Sequence, residues 1–461
     1  MKVAIVGGGI TGMTAAYYLQ KEIMSQNIDI EYHLFESSDQ LGGKIRTDYY
    51  NGFVIEQGPD SFLARKESAA KLAREVGLEK ELIFNNTGKA YVLKGSKLHS
   101  IPGGAVMGIP TKLGPFLTTN LFSPAGKLRA ALDLVLPKSS ADSDQSLGEF
   151  FRRRLGSEVV DNLIEPLLSG IYAGDIDRLS LQSTFPQFHQ VEQKHRSLIL
   201  GMKAARPPQK SKKKPSGAFQ TLRNGLQSLV EGIENHLDED AVFKNKSVKQ
   251  IISKENHYEL HFKDGESLLY DKVLLTTPPH VTAKLFKEKS LQKLFASIPA
   301  TSVATVAMAF DEQQIPGDFD GTGFVVSKKS DYTITACTWT HLKWEHTAPK
   351  GKALLRCYVG KPRGENIVDK DDESIINIVL KDLNKVMNVT GKPEYYKVTR
   401  WRNAMPQYEV DHSKRMHKII NEMQTSYPGI FVAGAAYEGV GLPDCINQGE
   451  EVVHQLLSNE K

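Results

Sequence analysis

Val3-Ala4-Ile5-Val6-Gly7-Gly8-Gly9-Ile10-Thr11-Gly12 opens the chain and decides its fold class. Val3 to Val6 is a short, apolar, β-branched run, the pattern of a strand buried in a parallel sheet. The next six residues supply G-x-G-x-x-G, and Met13 to Leu19 reads as a helix whose small residues face that sheet. Gly7 makes the tight turn, Gly9 lets the backbone approach a pyrophosphate, and Gly12 lets helix and strand pack closely. With Gly8, Ile10 and Thr11 they form a loop at a helix N-terminus, where free N–H groups and the positive dipole end attract phosphate.

A second strand, Ile30 to Phe35, ends at Glu36, 24 residues beyond Gly12. That is close to the ~20 residues expected for the acid that binds the adenosine ribose. A carboxylate there, with Ser37 beside it, accepts both ribose hydroxyls and repels a 2′-phosphate, which disfavours NADP. Strand, glycines, helix, strand and acid in this order read as a dinucleotide site.

Three further segments select the dinucleotide. Gly42-Gly43-Lys44 follows the acid within Glu36 to Arg46. Glu56-Gln57-Gly58-Pro59-Asp60-Ser61 offers a Gly-Pro turn. Near the other end, Gly429 to Gly434 reads as a strand closing in glycine, and Ala435 to Ile446 leads into the helical spacing of Asn447 to Leu457. Together these resemble the amine-oxidase-like flavoprotein superfamily. The resemblance implies FAD, and contacts to it from Gly43, Lys44, Gly58 to Ser61, Val248, Trp401, Gly434 and Val440 to Leu442. It also implies that the last helix aims its N-terminus at the flavin N1–C2=O, where reduction builds negative charge.

The two halves of that site lie at opposite ends of the sequence, so the domains are discontinuous. The expected fold is α/β: a Rossmann-like FAD-binding domain with an inserted α+β substrate domain and a mostly helical cap. Residues 1–62, 217–290 and 400–461 are assigned to FAD binding, and 63–95 with 291–399 to the substrate domain. The cap covers 96–205 and either folds over the cleft or touches a membrane surface. Residues 206–216 (RPPQKSKKKPS) read as a flexible basic loop.

Within the cap, Ser146 starts a helix with Glu149 three residues on, and Arg152-Arg153-Arg154 reads as a solvated helix face. Phe219 to Leu237 reads as a helix. Val242 to Ile252 and Tyr258 to Phe262 read as strands, with a hairpin turn at Asp264-Gly265. Val303 to Phe310, Gly323 to Val326, Ile334 to Thr338 and Ala353 to Tyr358 read as a larger antiparallel sheet.

Composition bounds the alternatives. The chain has 461 residues, 58 Lys+Arg and 54 Asp+Glu, a formal net charge of +4. That excess is too small for a dedicated nucleic-acid binder. An apolar fraction of 40% suits a globular protein with a sizeable core. Cys337, Cys357 and Cys445 form no CxxC pair, which argues against structural zinc and fits a reducing cytoplasm. The four apolar residues before the first glycine are too few for a signal peptide, and no run approaches the ~20 apolar residues of a spanning helix.

Phe150 to Gly156, Leu163 to Asp175 (LIEPLLSGIYAGD) and Tyr437 to Cys445 (YEGVGLPDC) sharpen the resemblance. They are similar to the porphyrinogen oxidases of haem synthesis, over essentially the whole chain. Gly104 to Lys112, Thr184 to Phe188 and Glu192 to Met202 resemble the soluble Gram-positive branch, which acts chiefly on coproporphyrinogen III. The resemblance implies a six-electron oxidation through FAD in three cycles, with O2 as acceptor and peroxide released. It implies a wide apolar pocket rimmed with cations, with Gly170, Ile171, Tyr172 and Ala173 along one wall. Membrane-bound relatives carry an arginine near the substrate carboxylates; Lys66 is the candidate replacement. No metal is required, and His189, His195 and His412 show no ligand spacing. Transfer of product to a later haem-pathway enzyme and a peripheral membrane contact are further expectations. The alternatives are a protoporphyrinogen IX oxidase, an amine oxidase or carotenoid desaturase on the same fold, and a flavin-free escort-type binding protein.

Overall fold

The computed structural model describes residues 1–140, 144–205, 217–360 and 367–458. The basic loop at 206–216 lies outside the described residues.

The opening strand Lys2–Val6 is central in a parallel sheet whose order is Val242–Phe243, Glu31–Phe35, Lys2–Val6, Lys272–Leu275, Ile430–Val432. Val3 and Ile5 face one core, beneath the helices Ile10–Gln26, Ser68–Glu75, Gln227–Glu234 and Leu442–Ser458. Ala4 and Val6 face the other, shared with the antiparallel sheet of Val248–Ser253, Tyr258–Phe262 and Ser267–Tyr270. Burial on both faces is why this strand is apolar without alternation.

A seven-stranded sheet runs Tyr395–Pro406, Ala300–Asp311, Lys352–Val359, Ile334–Trp339, Gly323–Val326, Tyr91–Lys94, Lys97–Ser100. The helix Asp372–Met387 packs on one face through Ile375, Val379 and Leu383. Tyr395–Pro406 crosses position 400, so Trp401 arrives on this sheet rather than on the parallel one.

The cap is built on Phe150, Phe151, Phe188 and Leu163. Ser146 starts its helix Leu147–Leu155 by accepting the Glu149 N–H at 3.1 Å. The solvated reading of the arginine triplet fails at Arg154, which is fully buried. Its guanidinium meets Asp133 at 2.6 Å and Glu192 at 3.3 Å, so the charge enters the core already paired.

The helix expected over Phe219 to Leu237 begins later, at Gln227. Phe219–Leu222 is a strand instead, captured between Phe62–Leu63 and Leu82–Phe84. Tertiary pairing overrides the local pattern there. No helix of the described residues is long and apolar enough to cross a membrane.

Candidate active site and cofactor cavity

One cavity of about 1490 Å3 opens at the C-terminal end of the parallel sheet and runs under the large sheet to the cap. Ordinary ligand pockets hold ~300–1,000 Å3, so this one has room for a dinucleotide and a second molecule.

The glycine turn forms its first wall. A Cβ on Gly12 would stand 2.0 Å from the Gly7 carbonyl oxygen, so only glycine lets the helix start this close to the strand. A Cβ on Gly9 would meet nothing within 4 Å, because Gly9 faces the cavity. The Glu36 carboxylate accepts the Gly8 and Ser38 N–H groups, each at 2.8 Å, and lines the same wall with Ser37. Gly43 has φ +61°, and a Cβ on it would stand 3.1 Å from the Gly9 Cα, so the second diglycine lies close against the first turn.

The loop Glu56 to Ser61 crosses next. A Cβ on Gly58 would stand 1.9 Å from the Lys44 carbonyl oxygen. Trp401 Nε1–H and the Thr305 hydroxyl both donate to the Gln57 carbonyl, at 3.0 and 2.6 Å. Asp60 lies behind this loop, held by Lys343 at 2.7 Å. Burial alone would raise its carboxyl, but the Lys343 ammonium and Arg356 guanidinium hold it well below the usual carboxylate range. Burial lowers the Lys44 ammonium, which donates to the Ala404 carbonyl.

The far end of the chain closes the cavity. Gly434 N–H donates to Gln448 Oε1 at 2.9 Å, and a Cβ on Gly449 would meet the Thr11 carbonyl oxygen at 2.7 Å. The first and last helices therefore pack backbone to backbone, with Ile10 and Leu442 both at the wall. Tyr408 fixes the intervening loop: its hydroxyl donates to the Ala435 carbonyl at 2.8 Å and accepts from Gly439 N–H at 2.7 Å.

Of the residues singled out from sequence, Gly7, Gly9, Ile10, Thr11, Glu36, Ser37, Gly43, Lys44, Gly58, Pro59, Ser61, Val248, Trp401, Gly434, Val440, Gly441 and Leu442 line this cavity. Gly8, Gly12 and Asp60 support it from behind.

Gly170, Ile171 and Ala173 line the second half, with Leu167, Val303, Val325 and Val326. Tyr172 points away into the cap core, against Tyr408 and Phe185. Lys66 is not among the lining residues; its ammonium sits on Asp444 at 2.5 and 2.7 Å. The expected rim of cations is also replaced. Among the described lining residues of this half the cation is Lys328, and Glu165, Asp175 and Asp177 stand with it. The turn after the helix Glu165–Tyr172 brings these acids together, and Lys328 meets Asp177 at 3.4 Å. Sequence reading missed Glu165, Lys328 and Tyr408. Glu165-Pro166 was the available signal, since proline inside a helical run removes a donor.

No group of three or more His, Cys, Asp or Glu among the described residues can hold a metal. The cradle fits a flavin dinucleotide instead: an anion-ready helix start, an acid beside it, and glycines where side chains would intrude.

Comparison with known proteins agrees. The model of the family described as flavin containing amine oxidoreductase matches residues 10–457. The chain is 53% identical to the coproporphyrinogen III oxidase of Bacillus subtilis, over 99% of this chain and 98% of that one. It is 44% identical to the coproporphyrinogen III oxidase of Staphylococcus aureus, over 99% of each. A crystal structure from Exiguobacterium sp. 255-15, provisionally named a protoporphyrinogen oxidase, superposes with a TM-score of 0.90 at 40% identity, covering 100% of this chain and 99% of that one. The cofactor is FAD. The chain belongs to the flavin containing amine oxidoreductases, in the group that holds the coproporphyrinogen III oxidases.

Proposed function

We propose that the protein oxidises coproporphyrinogen III to coproporphyrin III through FAD, with O2 as the final acceptor and hydrogen peroxide as the second product. One observation carries this reading: a single cavity joins the dinucleotide-type wall at Gly9 and Glu36 to a broad apolar chamber at Gly170 and Val325.

FAD, when bound, supplies a hydride acceptor for carbon–hydrogen oxidation. We assign its pyrophosphate to Gly7 to Gly12 and its ribose to Glu36 and Ser37. Val248 serves the adenine end. Gly43, Lys44, Gly58, Pro59, Ser61, Trp401, Gly434, Val440, Gly441 and Leu442 serve the ring system, with Asp60 anchoring the loop beneath it.

The chain itself orients the macrocycle. Gly170 carries no side chain, and a Cβ there would meet nothing within 4 Å, so a flat edge can slide past it. Ile171, Val303, Val325 and Val326 exclude water from the meso carbons. Lys328 is placed to meet a propionate; a hydrogen bond to a charged group contributes ~1.5–3 kcal/mol.

The acids beside Lys328 favour a second reading, protoporphyrinogen IX, which brings fewer carboxylates to that rim. Anaerobic mixing tests both. Coproporphyrinogen III should bleach the oxidised-flavin absorbance rapidly and protoporphyrinogen IX slowly; the reverse order would support the second reading.

The partner readings rest on the cap. Leu113, Leu117, Leu128, Leu132 and Val135 are exposed there, as a surface for a membrane or a later haem-pathway enzyme requires. A cytoplasmic location is supported by three free, buried cysteines.

A further inference from the structure

We propose that Glu165 is a catalytic residue: its carboxylate accepts the pyrrole N–H of the bound tetrapyrrole and takes the proton released in the two-electron steps. This rests on the porphyrinogen reading above.

Geometry places Glu165 for the task. It begins the helix Glu165–Tyr172, whose later residues Gly170 and Ile171, with Ala173 just past its end, form the chamber wall. Just before it, Val160–Ile164 is a π-helical turn, the kind of insertion that re-aims a side chain at a functional site. Glu165 itself lines the chamber beside Pro166 and Leu167. It is partly buried, yet no hydrogen bond or ion pair among the described residues holds its carboxyl. A cavity-lining carboxyl that no protein group holds is free to take its partner from a bound molecule.

The neighbouring charges contact one another rather than Glu165. Lys328 faces Glu165 from the end of the strand Gly323–Val326, but pairs with Asp177 at 3.4 Å. Asp161, in the π-helical turn, is held by Arg152 at 3.2 Å and Lys329 at 3.1 Å. Arg152 also pairs with Asp177, and Asp175 completes the acidic side. Burial raises the Glu165 carboxyl to about 7, helped by Asp161, Asp175 and Asp177 and opposed by Lys328. A base poised near the working pH takes a proton and returns it most effectively.

The chemistry needs such a group. Converting a porphyrinogen to a porphyrin removes four hydrogens from meso carbons and two from pyrrole nitrogens. Three leave as hydrides, so three leave as protons. In a step that uses Glu165, the pyrrole N–H bond breaks and its electron pair becomes a C=N bond. The adjoining meso C–H bond breaks as hydride departs to the bound flavin. The proton forms an O–H bond on the carboxylate and then passes to solvent, restoring the base.

The test uses the flavin-loaded protein with coproporphyrinogen III. Wild-type kcat should rise with pH through about 7. Glu165→Gln should lower kcat by ~10²–10⁴-fold and abolish that inflection. Flavin content and the affinity for coproporphyrin III, read from its absorbance shift, should be unchanged, and Glu165→Asp should restore part of the rate with the inflection. An inflection that survives in Glu165→Gln overturns the proposal, as does a rate loss matched by loss of flavin or of porphyrin binding. Failure of the wild type to oxidise any porphyrinogen would instead overturn the reading on which it rests.

Discussion

The Lys66 ammonium lies 2.5 and 2.7 Å from the two carboxylate oxygens of Asp444, joining the segment after the Gly58 loop to the first turn of the last helix. That pair accounts for Lys66 without a substrate carboxylate. Both side chains are partly exposed, so the pair contributes at most about 1 kcal/mol. Lys66→Met should therefore change the porphyrinogen KM by no more than about twofold and lower stability by about that amount, read from steady-state kinetics and a thermal melt. A large rise in KM with an unchanged melt would return the ammonium to the substrate.

Gly9 and Gly12 separate cofactor space from packing space. Gly9 has φ −70°, an ordinary conformation for alanine, and open space before it. Gly9→Ala should leave the melting of flavin-free protein unchanged yet deplete bound FAD. Gly12→Ala forces a Cβ against the Gly7 carbonyl oxygen and should cost ~1–3 kcal/mol or more in stability itself. Absorbance of the purified variants and melting of their flavin-free forms check both; equal behaviour would contradict the separation.

His412 makes stability depend on pH. It is buried, stacked on Tyr408 at 4.0 Å, and meets the Tyr437 carbonyl oxygen at 3.2 Å. Burial lowers its pKa to about 4 from the ordinary 6.5. Between these values the unfolded chain binds a proton that the folded chain lacks, so this contribution grows as pH rises from about 4 to about 6.5 and is flat above. Its full span is about 3 kcal/mol. Across the window, the stability of His412→Phe from denaturant titrations should rise by about 3 kcal/mol less than that of wild type. Parallel curves would mean that His412 does not titrate differently on folding.

The nucleotide half of the site was legible because backbone sterics write themselves into composition. Gly7 and Gly12 have no substitutes at their positions, Gly9 keeps cofactor space open, and the acid at Glu36 follows from the length of one βαβ unit. The strands Gly323–Val326 and Ile334–Trp339 were legible because they are short apolar runs bounded by turns. The substrate half was not. Lys66, Lys328 and Glu165 are single polar residues on three separate segments, and only tertiary packing decides which one faces a cavity. Phe219–Leu222 shows the same limit, since its partners lie more than a hundred residues earlier. Arg154 looked solvated because its partners, Asp133 and Glu192, are remote in sequence.

The most direct test of the central claim is the initial rate of porphyrin fluorescence growth in air, with coproporphyrinogen III and protoporphyrinogen IX supplied separately to the flavin-loaded protein. The expected result is clear preference for coproporphyrinogen III, with peroxide formed alongside. Preference for protoporphyrinogen IX would contradict the substrate assignment, and no turnover of either would contradict the porphyrinogen chemistry altogether.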